Sequence, residues 1–251
     1  RALFRFLFVC CVSATVLDVR LLVQRVPCNA DGFPRMCIVA SHVPSPSRRN
    51  TDKYAGSSAR HEFASIFSVP GPLLRGRVGD VMRVHVMNAM HDETTSIHFH
   101  GLRHMRNPWQ DGSQGVTECG IRSHTTRVYE LSLDTEGTFW YHSHAGSQSM
   151  DGLFGMLIVD PAQADPLKSQ FPYVDDYPVV LQDWFHDPGP DLMTAAMGPH
   201  GAFEGFVAFY PFPPSSLLMN GHGKFNCSLL SQVTPTYCNN LRPAEVQCIP
   251  L

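Results

Sequence analysis

Thr95-Ser96-Ile97-His98-Phe99-His100-Gly101 and Gly137-Thr138-Phe139-Trp140-Tyr141-His142-Ser143-His144 are two short runs built alike, each a β-prone lead into His-x-His. Side chains two apart on an extended strand leave the same face, so each run presents both imidazoles to one side. Gly101 closes the first run and leaves room for close approach of backbone or metal. Two such strands side by side bring four imidazoles into one small volume. A single His-x-His on a strand is more often a surface or structural pair; two, each led by a strand pattern, are much harder to obtain by accident. Imidazole is the commonest neutral nitrogen ligand for transition metals. An all-imidazole set suits copper or zinc, and structural zinc usually recruits cysteines, of which none lies nearby.

Outward from these runs the chain reads as β. Arg77 to Asn88 alternates with period two from Val78 onward, Thr126 to Leu133 does the same, and Leu153 to Val159 is a continuous apolar run suited to a strand buried on both faces. Pro70-Gly71-Pro72, Asn107-Pro108, Asp111-Gly112 and Glu136-Gly137 punctuate them. Twenty Pro and 19 Gly in 251 residues fit a turn-rich sandwich or barrel. Residues 41–61, rich in Ser, Pro and Arg, read as a loop insertion, and 161–176 as a linker. Tyr177 to Trp184 restarts a strand and opens a second domain. Pro188 to Pro214 then holds six prolines and few strand candidates, so 177–251 reads as only part of that domain.

The net charge of -3 and the lack of a basic run exclude nucleic acid as a partner. Eight cysteines without a Cys-x-x-Cys pair fit disulfides in an oxidising compartment. Asn226-Cys227-Ser228 is a glycosylation acceptor pattern, and together these point to a secreted, extracellular protein. Residues 1–25 are expected to be an irregular N-terminus. Within them Arg1 to Leu17 holds an apolar run broken by Arg5, either the remains of a secretory signal or a buried strand. It is too short for a clear membrane span.

His98-Phe99-His100-Gly101, followed by Trp109-Gln110-Asp111-Gly112 and Val116-Thr117-Glu118-Cys119-Gly120-Ile121, resembles the first copper motif of laccases and related multicopper oxidases. Gly137 to His144, followed by Asp151-Gly152-Leu153-Phe154-Gly155, resembles the second. Pro70-Gly71-Pro72 before Gly79-Asp80, and Asn220-Gly221-His222-Gly223, look like the animal laccase pattern; the likeness spans roughly residues 28–225. It implies an all-β fold: a cupredoxin-like Greek-key β-sandwich over 26–160, then the beginning of a second cupredoxin-like domain. It implies that His98 binds a type 2 copper and that His100, His142 and His144 bind a type 3 pair. Asp111 matches a carboxylate that hydrogen-bonds near the type 2 copper and assists proton delivery; without the resemblance it is a turn residue before Gly112. Cys119 matches a cysteine that bridges to a later domain, with Cys227 or Cys238 as its partner. Trp109 and Trp140 are expected in packing, Met150 and Met156 as gap fillers, and His91, His104, His124 and His222 in loops or at the surface.

The departures weigh as much as the matches. Phe99 stands where Trp is usual, and no cysteine-rich region is recognisable before Cys28. The family's cluster uses eight histidines and four are here; no His-Cys-His, which holds the type 1 copper, occurs. The chain is therefore expected to be the N-terminal portion of a laccase-like multicopper oxidase. It would contribute half the ligands of a trinuclear copper cluster that reduces dioxygen to water with electrons from phenols or metal ions. The remaining domains would lie in a longer chain or a partner. The alternative is a truncated, non-catalytic copper-binding cupredoxin-like protein. A two-domain enzyme of the nitrite reductase kind needs a type 1 cysteine near Ser143, and a hydroxyl cannot replace that thiolate. The 251-residue chain loaded with copper should accordingly give no intense blue absorption band; observing one by visible spectroscopy would overturn this reading of Ser143.

Overall fold

Leu17, Val19, Leu21 and Val23 alternate along strand β1 (Val16–Cys28) and turn one face of it inward. This is the period-two pattern of a half-buried strand, here followed by a tight reversal at Asn29–Gly32 and an antiparallel return as β2 (Arg35–His42). The structure is a computed structural model that describes residues 15–44, 68–163, 166–197 and 213–226. Two four-stranded sheets face each other. The first is ordered β2-β1-β4-β6, with β4 (Val81–Asn88) parallel to β1 and β6 (Thr126–Ser132) antiparallel to β4. The second is ordered β3-β8-β7-β5, comprising β3 (Leu74–Arg77), β8 (Phe154–Asp160), β7 (Gly137–Ser143) and β5 (Ile97–His100) at its edge.

Between the sheets lies the main core. Leu21, Val23, Met82, Val84, Val86, Tyr129 and Leu131 come from the first sheet, and Phe99, Tyr141, Leu157 and Val159 from the second. Phe99 is wholly buried, its ring 5.5 Å from that of Tyr129. It leaves the strand on the side opposite His98 and His100, so one four-residue strand serves the core with one face and the histidines with the other.

β2 is buried on both faces. Ile38 and Ala40 enter the main core, while Cys37 and Val39 join Trp184 and Leu218 in a second, smaller one. The latter two belong to the antiparallel pair β9 (Leu181–Trp184) and β10 (Ser216–Met219). A disulfide joins Cys28 to Cys37 across β1 and β2. Polar contacts fasten the later segment beside this core. His186 is hydrogen-bonded to the buried Asp31 carboxylate at 2.7 Å and lies flat on Phe33 at 3.8 Å. Burial acts to raise the Asp31 pKa, but the bonds from His186, Ser216 and the Phe33 amide outweigh it and hold the group below the ordinary carboxylate value. Arg35, lying over the Trp184 ring, pairs with buried Asp151, which also accepts the Gly189 amide at 2.9 Å.

The expected boundaries differ in places. The sandwich does not wait for residue 26: residues 16–25 are strand, because the alternation from Leu17 to Val23 gives β1 a core face. The strand read from Val78 starts at Val81, since Val78 to Asp80 turn between sheets with Gly79 at φ +97° and the Asp80 carboxylate accepting the Arg77 amide. The expected linker carries the short helix α1 (Pro166–Gln170), and the proline-rich stretch after β9 carries α2 (Gly189–Met197). Of the insertion read at 41–61, Ser41 and His42 finish β2 and residues 45–61 lie outside the described residues, as do residues 1–14 and Cys227 and Cys238. Among the described residues no helix is long and apolar enough to cross a membrane.

Phe99→Ala should remove about 3–5 kcal/mol of stability. Chemical denaturation followed by far-UV circular dichroism checks this, and a loss under 1 kcal/mol would mean the sandwich closes without that ring.

Candidate metal centre

β5 and β7 pair antiparallel with His98 directly opposite His142 and His100 opposite Trp140. Directly opposed residues of such a pair have neighbouring side chains on one face. The ring of His98 accordingly lies 5.3 Å from those of His100 and His142 and 5.6 Å from that of His144. One ligand nitrogen from each of His98, His100 and His142 falls within 4.8 Å of the others. His144 stands just past the end of β7, its amide bonded to the Ser96 carbonyl at 3.3 Å and its ring 6.0 Å from that of His142. It is beside the close triple without being part of it.

The hydrogen bonds select the free nitrogens. His98 Nδ1 is 2.7 Å from the Asp111 carbonyl oxygen, which only accepts, so Nδ1 carries the proton and Nε2 keeps its lone pair. His142 Nδ1 is likewise 2.9 Å from the Ser143 carbonyl, leaving its Nε2 free. That Nε2 faces His100 Nδ1 at 3.4 Å. Two imidazole nitrogens on one tetrahedral ion, with bonds of about 2.0–2.1 Å, stand about 3.3 Å apart. The His100–His142 pair therefore stands at the spacing of two nitrogens on one transition-metal ion, with His98 beside it. Burial, helped by the three neighbouring imidazoles and opposed by the bond to Ser143, lowers the His142 pKa and favours the neutral form a metal requires.

Asp111 reaches the site mainly through its backbone. Its carbonyl holds His98, its Oδ1 is 3.4 Å from the same nitrogen, and its Oδ2 accepts a 2.6 Å bond from the Ser113 hydroxyl. The loop lies against β5 because Gly112 has φ +81° and no side chain; a Cβ there would stand 1.8 Å from the Ile97 carbonyl oxygen. Asn107 and Gln110 anchor the same loop to the Glu130 backbone on β6.

Trp140, His104, Trp109 and Cys119 differ from expectation. Trp140, read as packing, is part-exposed and stacks on His142 at 4.1 Å and His100 at 5.2 Å, so it walls the site. Its position two before His142 is the signal that puts it on the histidine face. His104, read as a loop or surface residue, is half-buried, and desolvation lowers its pKa. His91, His124 and His222 are exposed, Trp109 is exposed, and Cys119 is an exposed free thiol. Ser143 points away from the cluster into the protein, its hydroxyl bonded to Gln148.

Two family models, both described as Multicopper oxidase, match residues 51–164 and 175–247. An L-ascorbate oxidase of Nicotiana tabacum is 35% identical over 169 residues, which are 65% of this chain and 27% of that protein. Laccase-2 of Cryptococcus neoformans is 36% identical over 172 residues, 67% of this chain and 28% of the relative. The chain thus spans between a quarter and a third of these curated relatives, which are plant and fungal. Among solved structures, the laccase from Botrytis aclada covers 90% of this chain at a TM-score of 0.63 and 28% identity, the match taking in 34% of that laccase. Fet3p, a multicopper oxidase that functions in iron import, covers 82% at a TM-score of 0.61 and 26% identity, over 33% of its own chain.

Gly112→Ala should push the 107–113 loop off β5 and free His98 Nδ1 from the Asp111 carbonyl. Ring-nitrogen NMR would then show His98 as a mixture of tautomers; a single unchanged tautomer would contradict the assigned hold.

Proposed function

The chain belongs to the multicopper oxidase family, and on that footing we propose that it supplies half the ligands of a trinuclear copper cluster in a laccase-like oxidoreductase. The observation that carries the reading is the close set of His98, His100 and His142, with His98 and His142 held at Nδ1 by backbone carbonyls and two nitrogens at the spacing of a shared ion. His98 is the type 2 ligand. His100 and His142 share one type 3 ion, and His144 serves the other. Bound copper would supply one-electron carriers that together deliver four electrons to dioxygen, which becomes water on taking up four protons. The work of this chain is to aim the imidazoles and to bring protons. Asp111 suits the second task, because its part-exposed carboxylate lies 3.4 Å from the His98 ring and is held by Ser113.

The electron donors are phenols or metal ions; the likeness to Fet3p, a multicopper oxidase that functions in iron import, supports the latter. The sandwich is a first cupredoxin-like domain, widened from 26–160 to take in β1. Residues 161–176 link it to 177–251, part of a second such domain. The remaining ligands and the type 1 copper come from a longer chain or a partner. The Cys28–Cys37 disulfide and the Asn226 acceptor pattern support a secreted, extracellular protein. The exposure of His100 and His144 in this chain favours a second reading, a non-catalytic protein that binds copper weakly.

Copper(II) titrated into the chain should give an electron paramagnetic resonance signal with imidazole nitrogen couplings. The signal should disappear in the His98→Ala, His142→Ala double variant, and should fade as pH falls because protons compete for the same lone pairs. In the oxidase carrying all copper motifs, His98→Ala should abolish oxygen uptake while the type 1 blue band largely survives. Wild-type oxygen uptake by that variant would sink the assignment; a chain that binds copper with no oxidase form of any length would favour the second reading.

A further inference from the structure

We propose that Gln148 is the positioning residue that holds the two histidine arms in register; the inference rests on the ligand reading above but adds a residue outside it. Gln148 is buried in the loop that follows His144, and its amide is fully used. Its Oε1 accepts the Thr95 hydroxyl at 2.8 Å and the Ser143 hydroxyl at 2.8 Å. Its Nε2 donates to the Thr94 carbonyl at 2.8 Å and to Glu93 Oε2 at 3.4 Å. Two acceptor sites and two N–H groups are all that a carboxamide offers. The reverse orientation would set its oxygen against a carbonyl and a carboxylate, so the partners fix which way it points.

The partners are what give the amide its role. Thr95 stands three residues before His98, at the entry to β5. Ser143 lies between His142 and His144, and with its hydroxyl proton committed to Gln148 its oxygen accepts the Ala145 amide at 3.1 Å. One side chain thus ties the bases of both arms. The β-ladder alone restrains them weakly: β5 is an edge strand, only four residue pairs join it to β7, and the last of these is Ile97 with Ser143. Short edge pairings are where register is least specified. Past that pair, the Gln148 amide and the bond from the His144 amide to the Ser96 carbonyl link the arms.

Gln148 is itself held firmly. Its backbone carbonyl accepts the Asp151 and Leu153 amides, and its amide donates to Ala145. Asp151 is pinned by Arg35 and by the Gly189 amide. Next to it, a Cβ on Gly189 would stand 2.7 Å from the Ser147 carbonyl oxygen, so α2 packs directly on the loop. Arg25, paired with Glu93, also stands 3.8 Å from Asp151 and closes the circuit. The network contains no histidine, and it reaches the site only through the backbone it orders.

The test compares the metal-free chain with Gln148→Leu and with the nearly isosteric Gln148→Glu, whose carboxylate would face the Thr94 carbonyl and Glu93. Imidazole nitrogen NMR should find His142 in its single Nδ1–H tautomer in the parent chain and in mixed tautomers in both variants. His98, held by Asp111 on its own side, should keep its tautomer. Copper(II) should bind both variants about 10–100-fold more weakly, with altered nitrogen couplings and an unchanged far-UV spectrum. An unaltered His142 tautomer in a folded Gln148 variant overturns the proposal. If both variants fail to fold, Thr95→Val and Ser143→Ala each remove one bond to the amide. Smaller losses of copper affinity in the same sense, non-additive in the double variant, would support it; additive effects with an unchanged His142 spectrum would overturn it. The two readings fail separately, since copper binding that ignores the His98→Ala, His142→Ala change sinks the metal assignment while the ring spectra still judge Gln148.

Discussion

The pairing of four residues of β5 with four of β7 sets His98 opposite His142, and the rest of the site depends on it. Sliding that pairing by one residue would send His98 and His100 into the core and Phe99 to the solvent, because side chains alternate between faces. The burial of Phe99 against Tyr129 therefore does two things. It contributes to the stability of the sandwich, and it makes the wrong register costly, since two imidazoles would have to replace an aromatic ring in an apolar layer. The geometry of the histidines is thus enforced by hydrophobic burial on the opposite side of the same strand.

Orientation needs a second level of control. An imidazole fixed at its Cα still has two χ angles and two tautomers, and the structure restrains these with backbone carbonyls from Asp111 and Ser143. A carbonyl only accepts, so each one keeps the ring proton on Nδ1 and leaves Nε2 free. In this arrangement the main chain of Asp111 does the holding, while its carboxylate is bonded to Ser113. Trp140 closes one flank by lying on two of the rings, where its bulk limits how far either can swing.

Much of this was legible in the sequence, and the parts that were not share a cause. Period two at His98 and His100, and at His142 and His144, is a local property, and so the strands and their shared face could be read directly. Trp140 obeys the same period and was within reach. The early start of β1 was hidden because the apolar run before Leu17 draws attention from the alternation that follows it. The break at Val78–Asp80 depends on a strand changing sheets, a long-range event marked only by Gly79. The links from Gln148 to Thr95, from Asp31 to His186 and from Arg35 to Asp151 join residues 53, 155 and 116 positions apart. No periodicity encodes such pairings, because they exist only once the chain has closed.

β2 carries a consequence of its own. Ile38 and Ala40 answer to the main core and Cys37 and Val39 to the small core under Trp184, so between its exposed ends the strand has almost no solvent face on which substitutions are neutral. A wall shared between two rooms cannot be taken down for one of them alone. Loosening β9 and β10 would uncover Cys37 and Val39, and the cost would fall on a strand that the first sheet also needs. The later segment and the sandwich therefore share β2, and drift there is constrained from both sides at once.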